Sequence, residues 1–488
     1  MEKLFHKPGK ILQRISKNTF WIILLNIVIA FSQLIILSFI NKKLGKEILG
    51  VWSLVMAATT IGQISAFGFS NGLVRYLPEY FIKKEFEKAE KMVATINVAN
   101  FLFSLPFIFL LYFPMMLYAN HLLKGEQLIM FHSAIIWNLV ALFINNLFSA
   151  YSFIFDALQK YYIRSIIQIA GWILFVIISF CLMPTMQLTG VAIANVFQAV
   201  LQLVVAIVII RQMKVFKRKR LLGFDKQVFK LIFSVGTKYQ SISVLVIFFD
   251  PVIKFFITKT IGLSGTANYE LANKIVSQGR NLLVNSNQVI IPKVVAHTTS
   301  NTLDPYFEKI IDRNLYLSII IGLATLILSP VAILFFSGHF DRVLFQSIII
   351  INIGVVSNMI TSIHYFTCMG IDKLNNLVIL HFLYPLIAII CSFILLKIGV
   401  HSLTAIAIPS FSILVGSIYN SIVLSEIRGA CKWIWSNAFI YFIAVSLIVL
   451  FIPTYSFIYS IGLFFTFTIV FVFLFRAKLM SLLKNTPA

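Results

Sequence analysis

Residues 238–292 read KYQSISVLVIFFDPVIKFFITKTIGLSGTANYELANKIVSQGRNLLVNSNQVIIP. The apolar run 243–257 is interrupted by Asp250-Pro251 and by Lys254. A turn at Gly262–Gly265 follows. The next run, ending at Pro292, holds Glu270, Lys274 and Arg280 among Asn273, Ser277, Gln278, Asn281, Asn285, Asn287 and Gln288. Both runs fall within expected membrane-crossing helices, 231–258 and 265–292. A charge at the centre of a lone bilayer helix costs about 2.5–3.5 kcal/mol on insertion-based scales, so such residues face a polar cavity or a partner. Ser243, Asp250 and Lys254 share one helical face, and Glu270, Asn273, Ser277, Arg280 and Asn287 share another. Pro251 removes a backbone donor beside the charge and favours a kink.

The rest of the chain supports the membrane reading. Of 488 residues, 59% are hydrophobic and only 12% charged, with 48 phenylalanines; a soluble domain carries about 25% charged residues. Apolar runs of about 20 residues recur along nearly the whole length, the mark of membrane spans. The expected fold is an all-α polytopic membrane protein. The net charge of +23 is spread loop by loop, as in proteins obeying the positive-inside rule, and not gathered into a nucleic-acid groove. The four cysteines (Cys181, Cys368, Cys391, Cys431) lie far apart without metal spacing. There is no phosphate loop and no His-Glu-x-x-His cluster, so neither a metal nor a nucleotide cofactor is expected.

Taken in order, residues 1–18 form a basic segment with Ile11, Leu12 and Ile15 at helical spacing, expected as a helix on the membrane surface. The first span, 19–40, lacks a cleavage pattern and reads as an uncleaved anchor. Further spans are expected at 48–67, 93–118, 128–153, 163–183 and 188–210, then at 231–258, 265–292, 314–336, 343–368, 376–398, 402–424, 435–453 and 456–476. That gives about 14 transmembrane helices: an N-lobe (19–210), a basic linker (211–230), a C-lobe (231–424) and two C-terminal helices (435–476). Of the 40 Lys and Arg, 29 then fall inside and seven in outer loops, which places both termini in the cytoplasm. The cluster Lys42, Lys43 and Lys46 runs against this orientation.

The two halves share a faint repeat. Leu44-Gly45, Gly50 and Trp52 stand at the first junction; Ile261-Gly262, Ala267 and Tyr269 stand at the matching one. Each second helix ends at a proline, Pro78 or Pro292. The expected plan is two pseudo-symmetric six-helix lobes plus two helices, a common arrangement in transporters.

At these residues the chain resembles a known family. The run 44–52, LGKEILGVW, and the run 67–78, FGFSNGLVRYLP, are similar to those of bacterial polysaccharide flippases. These export O-antigen and exopolysaccharide units within the multidrug/oligosaccharidyl-lipid/polysaccharide exporter superfamily. Asp250, Ile261-Gly262 and Tyr269-x-x-Ala272 agree with the second signature. Family members commonly have Arg after this Asp; here Pro251 follows it, and the nearest cation is Lys254.

The charges admit two readings. Asp250 with Lys254 and Glu270 with Lys274 form an internal salt-bridge set in one. In the other, the excess of Lys238, Lys254, Lys274 and Arg280 over two acids makes a cationic pocket for a phosphate-bearing substrate. The resemblance implies an undecaprenyl-pyrophosphate carrier of an oligosaccharide, moved from the cytoplasmic to the outer leaflet of the inner (plasma) membrane by alternating access. Lys238, Lys254, Lys274, Arg280, Arg75 and Asn281 are the expected pyrophosphate and sugar contacts. Asp250 and Glu270 are candidate sites for H⁺ or Na⁺ as coupling ion. Expected partners are the lipid-linked oligosaccharide, membrane lipids, and a polysaccharide polymerase with glycosyltransferases; no nucleic acid is expected. Two alternatives stay open: a peptidoglycan-precursor flippase, or a membrane polymerase or glycosyltransferase. An enzyme would need an extramembrane loop or an acidic pair that is not visible.

Overall fold

The structure, a computed structural model, describes residues 8–66, 69, 71–83, 85–213, 223–287, 290, 294, 303–371, 373–398, 403–427, 429–451 and 457–484. These form α1 (Pro8–Leu44), α2 (Lys46–Gly62), a 3₁₀ turn (Gln63–Ala66), α3 (Asn71–Ile82), α4 (Phe86–Asn120), α5 (Gly125–Ala157), α6 (Tyr161–Gln212) and α7 (Lys226–Asn287). They continue as α8 (Leu303–Ser337), α9 (Arg342–Gly370), α10 (Leu374–Ile398), α11 (Leu403–Val423), α12 (Asn437–Phe451) and α13 (Phe457–Lys484). The described residues contain no strand. Among the described residues, ten helices are long and apolar enough to cross a membrane. The chain is a multi-pass membrane protein.

All fourteen expected apolar segments fall on these helices, because two helices are folded double. A straight helix of 52 residues, the length of α6, would extend about 78 Å, over twice the hydrocarbon thickness. Instead Gln187 leaves the helical region (φ 51°, ψ −132°) and the chain reverses. The two arms meet so closely that a Cβ on Gly190 would lie 2.7 Å from the Leu182 carbonyl. In α7 the reversal is at Gly262 (φ 77°, ψ −174°), where only glycine avoids strain. Just beside it the Thr258 and Thr266 hydroxyls are 2.7 Å apart.

Two expectations change. The basic N-terminal segment is no separate helix within the described part: from Pro8 it runs without a break into the first span as one 37-residue helix. The second span is itself interrupted, passing from α2 through the 3₁₀ turn to α3.

The chain divides into two compact units, Met1–Leu44 with Val51–Ile247, and Gly45–Gly50 with Phe248–Ala488. The crossing into the second unit therefore lies inside the first arm of α7, beyond the basic segment 211–230. The first turn of α2 belongs to the second unit because Gly50 packs on the α7 hairpin: a Cβ there would meet the Leu263 carbonyl oxygen at 2.3 Å. This is the physical content of the glycine in the 44–52 motif.

Each unit is tied by the same asparagine lock. In the first, Asn100 on α4 donates to the Asn146 carbonyl on α5 (3.1 Å), while the Asn146 amide reaches the Ser65 hydroxyl (2.8 Å). In the second, Asn314 on α8 donates to the Met359 and Ile360 carbonyls on α9 (2.7 and 2.8 Å). Asn287 on α7 then donates to the Asn314 side-chain oxygen and to Ser362 (2.8 Å each). Asn100 and Ser104 in one unit correspond to Asn314 and Ser318 in the other, and both asparagines bind a carbonyl 46 residues further on. Buried amides need such partners in an apolar interior, so these bonds fix helix register and carry the repeat that the sequence only hints at.

Candidate functional site in the second unit

The α7 hairpin sets the site. Because the chain reverses at Gly262, residues of the two arms face each other. Lys254, 2% exposed, places its ammonium 2.7 Å from Asp250 on its own arm and 2.7 Å from Glu270 on the other. Glu270 is also buried, whereas Asp250 keeps a third of its side chain exposed. Taking Lys254 and Glu270 out of water is repaid only when geometry and hydrogen bonding are good, and a shared ammonium meets that condition. The trio sums to one negative charge. Lys254 is thus held between two carboxylates, and the internal salt-bridge reading describes it better than an open cationic pocket does.

Arg280 is different. It lies half-buried, more than two helical turns beyond Glu270 on the second arm. Its Nε donates to the Asn358 side-chain oxygen on α9 (2.7 Å), and Nη1 makes a longer contact with the Asn281 side-chain oxygen (3.4 Å). Among the described residues no carboxylate pairs with it. A guanidinium carries five N–H donors, so most of its terminal donors are left for something else. Tyr384 on α10 interacts with both Arg280 and Asn358. The Tyr384 ring sits 6.2 Å from Phe249 and 6.1 Å from His381, and His381 lies 5.7 Å from Tyr365. Gly416 on α11 makes room for this tyrosine, since a Cβ there would fall 1.9 Å from a ring carbon.

The other expected site residues, and several further polar residues of the helices, are placed as follows. Lys274 is half-buried, and its carbonyl accepts from Ser277 and Gln278. Asn281 is exposed beside Arg280. The side chains of Lys238 and Arg75 lie outside the described residues. Asn146 is a helix-to-helix bridge within the first unit. His364 hydrogen-bonds the Ala430 carbonyl (2.7 Å) as a packing residue, and Asp156 pairs with Arg164. Lys46, from the cluster that runs against the positive-inside pattern, pairs with Asp341.

Sequence reading missed Asn358, Tyr384 and Gly416. The only signal was a polar or small residue within an apolar run, and nothing local says which of many such residues meets Arg280. No group of three or more His, Cys, Asp or Glu capable of holding a metal occurs among the described residues.

The fold has solved counterparts. An inward-facing multidrug-resistance MATE transporter of the MOP superfamily aligns with a TM-score of 0.71 at 13% identity, covering 81% of this chain and 94% of that one. The lipid II flippase MurJ, in an inward closed conformation, aligns at 0.70 and 15% identity, covering 94% and 100%. A MOP superfamily transporter from Pyrococcus furiosus, described as having a binding pocket of reverse polarity, aligns at 0.60 and 14%, covering 86% and 96%. No curated protein matches the sequence. The family model for polysaccharide biosynthesis proteins matches residues 15–296, over half of the chain and the whole α7 hairpin. With the fold of MOP-superfamily transporters, this chain belongs to the polysaccharide biosynthesis protein family.

Proposed function

We propose that the protein is a flippase, not an enzyme, that moves a lipid-linked oligosaccharide from the cytoplasmic to the outer leaflet of the plasma membrane. The carrier is an undecaprenyl pyrophosphate, and both termini lie in the cytoplasm. One observation carries the reading: Arg280, half-buried on the second arm of the α7 hairpin, meets no carboxylate among the described residues, and Asn358 takes its Nε so that most terminal donors stay open. Such a group suits a phosphate oxygen pair, which guanidinium binds in bidentate fashion. It disfavours an organic cation as cargo, because a like charge is repelled. Lys274 reinforces the field, Asn281 contributes an amide to sugar or phosphate, and Lys238 and Arg75 are kept as proposed contacts of the same substrate. Lys254 acts indirectly, by holding Asp250 and Glu270 as a group of net charge −1 that a proton or Na⁺ would neutralise. Alternating access, by rocking of one lobe against the other, exposes the site to each side in turn. Polysaccharide polymerase and glycosyltransferases are the expected neighbours in the pathway.

The test is glycan export in cells making inserted, full-length variants. Arg280→Ala is expected to lower export about 10- to 100-fold, the loss of one charge-assisted contact. Arg280→Lys, which keeps charge without the fork, should fall in between. Full export by Arg280→Ala overturns the anion site. The full-length structural likeness to the lipid II flippase favours a peptidoglycan-precursor flippase as the second reading. Lysis on depletion, in place of loss of surface polysaccharide, would select it.

A further inference from the structure

The first unit has a cavity of about 390 Å³ lined by Asn97, Val98, Phe101 and Leu102 of α4, Leu147 and Tyr151 of α5, and Leu203 and Ile207 of α6. Each helix contributes one stripe, with residues three or four apart, so the cavity runs along the helix axes as a groove. Its wall is open to lipid, Phe101 and Leu102 being 48% and 55% exposed. Its floor holds a buried polar pair, the Asn97 amide donating to the Tyr151 hydroxyl (3.3 Å).

Arg211 extends the α6 stripe by one further step of four residues from Leu203 and Ile207 and is exposed. It is also within electrostatic reach of Tyr151. At ~1.5 Å per residue, the Arg211 Cα stands about 6 Å beyond that of Ile207 and about 12 Å beyond that of Leu203 along the axis. That spacing is amphipathic: a cation at the membrane surface, then an apolar slot running inward from it. Leu147 and Tyr151 lie six to ten residues from the end of α5, so the slot is about two to three turns deep from the same end, which also carries Lys160 and the Arg164–Asp156 pair.

We propose that this groove holds the proximal part of the substrate's polyprenyl chain in the cytoplasmic leaflet, with the lipid phosphate at Arg211. The inference rests on the lipid-linked substrate of the preceding section. It adds a docking place on the first unit, apart from the Arg280 cluster and from the terminal helices α12 and α13. Charge complementarity and depth select an anionic lipid whose chain enters from the basic side. The groove serves as a loading station: the tail is captured there while the headgroup remains free to reach a polar site.

The experiment uses full-length protein in nanodiscs of phosphatidylethanolamine and phosphatidylglycerol, with a diazirine-bearing undecaprenyl phosphate as probe. Crosslinks are expected on peptides covering 97–102, 147–151 and 203–207, and extra phosphatidylglycerol should not displace them. Leu203→Trp, which fills the slot, should lower labelling there about tenfold, roughly one side chain's worth of apolar contact. Val98→Trp is the second filling variant should the first fail to insert, and Arg211→Gln should lower labelling without filling the slot. Labels on α12 and α13 instead, displacement by phosphatidylglycerol, or labelling unchanged by the filling variants would overturn the proposal. Arg280→Ala separates the two readings. If it blocks export while the groove is unlabelled, the groove fails and the flippase stands. If the groove is labelled while Arg280→Ala exports normally, the anion site fails alone.

Discussion

Lys254 shows how a single residue's role depends on who surrounds it. With both carboxylates in place its burial is tolerable; without it, buried Glu270 is left side by side with Asp250. Lys254→Met is therefore expected to destabilise the protein by about 3–5 kcal/mol, the usual result of stranding one side of a buried ion pair. The triple variant Asp250→Asn, Lys254→Met, Glu270→Gln should regain most of that loss. Thermal unfolding in detergent compares the two, and a triple variant no better than the single one would contradict the shared-ammonium geometry. Asp341 offers a second test at this scale, outside the membrane segments. Burial alone would lift its carboxyl, but hydrogen bonds from the Lys46 ammonium and the Leu344 amide, with the Lys46 charge, hold it below the ordinary carboxylate range. A depressed carboxyl adds stability that is fully present above the unfolded value of about 3.9 and is lost as pH falls through the folded value. The stability gap between wild type and Asp341→Asn should be constant near neutral pH and close below about pH 4. A gap that persists in acid would show that the pair is not the cause.

At the scale of the element, the glycines decide which helices can approach. Gly416→Ala would drive a methyl into the Tyr384 ring, forcing α10 and α11 apart or turning the tyrosine away from Arg280. The expected cost is about 1–3 kcal/mol, typical of overpacking, together with reduced export. Gly416→Ala combined with Tyr384→Ala should recover stability and leave export low, which separates packing from function. Proteolysis-monitored unfolding and the export assay read the two effects. If the single variant matches wild type in both, Tyr384 is not a fixed wall of the site. The Gly262 turn acts likewise in α7: its positive φ lets the chain double back, and that reversal is what brings Glu270 to Lys254. The two asparagine locks do this work between helices, and their equal 46-residue reach shows the repeat that the loose glycine pattern only suggested.

For the whole molecule the question is what drives transport. A substrate carrying about two negative charges gains roughly 4–5 kcal/mol when it leaves an inside-negative compartment at 100 mV, at about 2.3 kcal/mol per charge. Protein cations moving with it reduce that gain. Proteoliposomes with the membrane potential clamped to zero and no ion gradient are expected to lose vectorial transport. Transport that stays vectorial under those conditions would refute both potential drive and ion coupling at the Asp250–Lys254–Glu270 trio.

The sequence by itself determined the all-helical membrane class, the apolar segments and the charges that must lie inside the bilayer, because each follows from length, hydropathy and local spacing. It also marked Gly262 as a reversal and the junction glycines as special. Only the tertiary structure decided which charge is neutralised. Spacing allowed Lys254 to pair along its helix, but the second carboxylate comes from across a turn. Among the described residues Arg280 meets no acid; its Nε donates instead to Asn358, on a helix distant in sequence. Pairing energies depend on distances between helices, and those distances are set by packing of residues such as Gly50 and Gly416, whose neighbours no local pattern specifies.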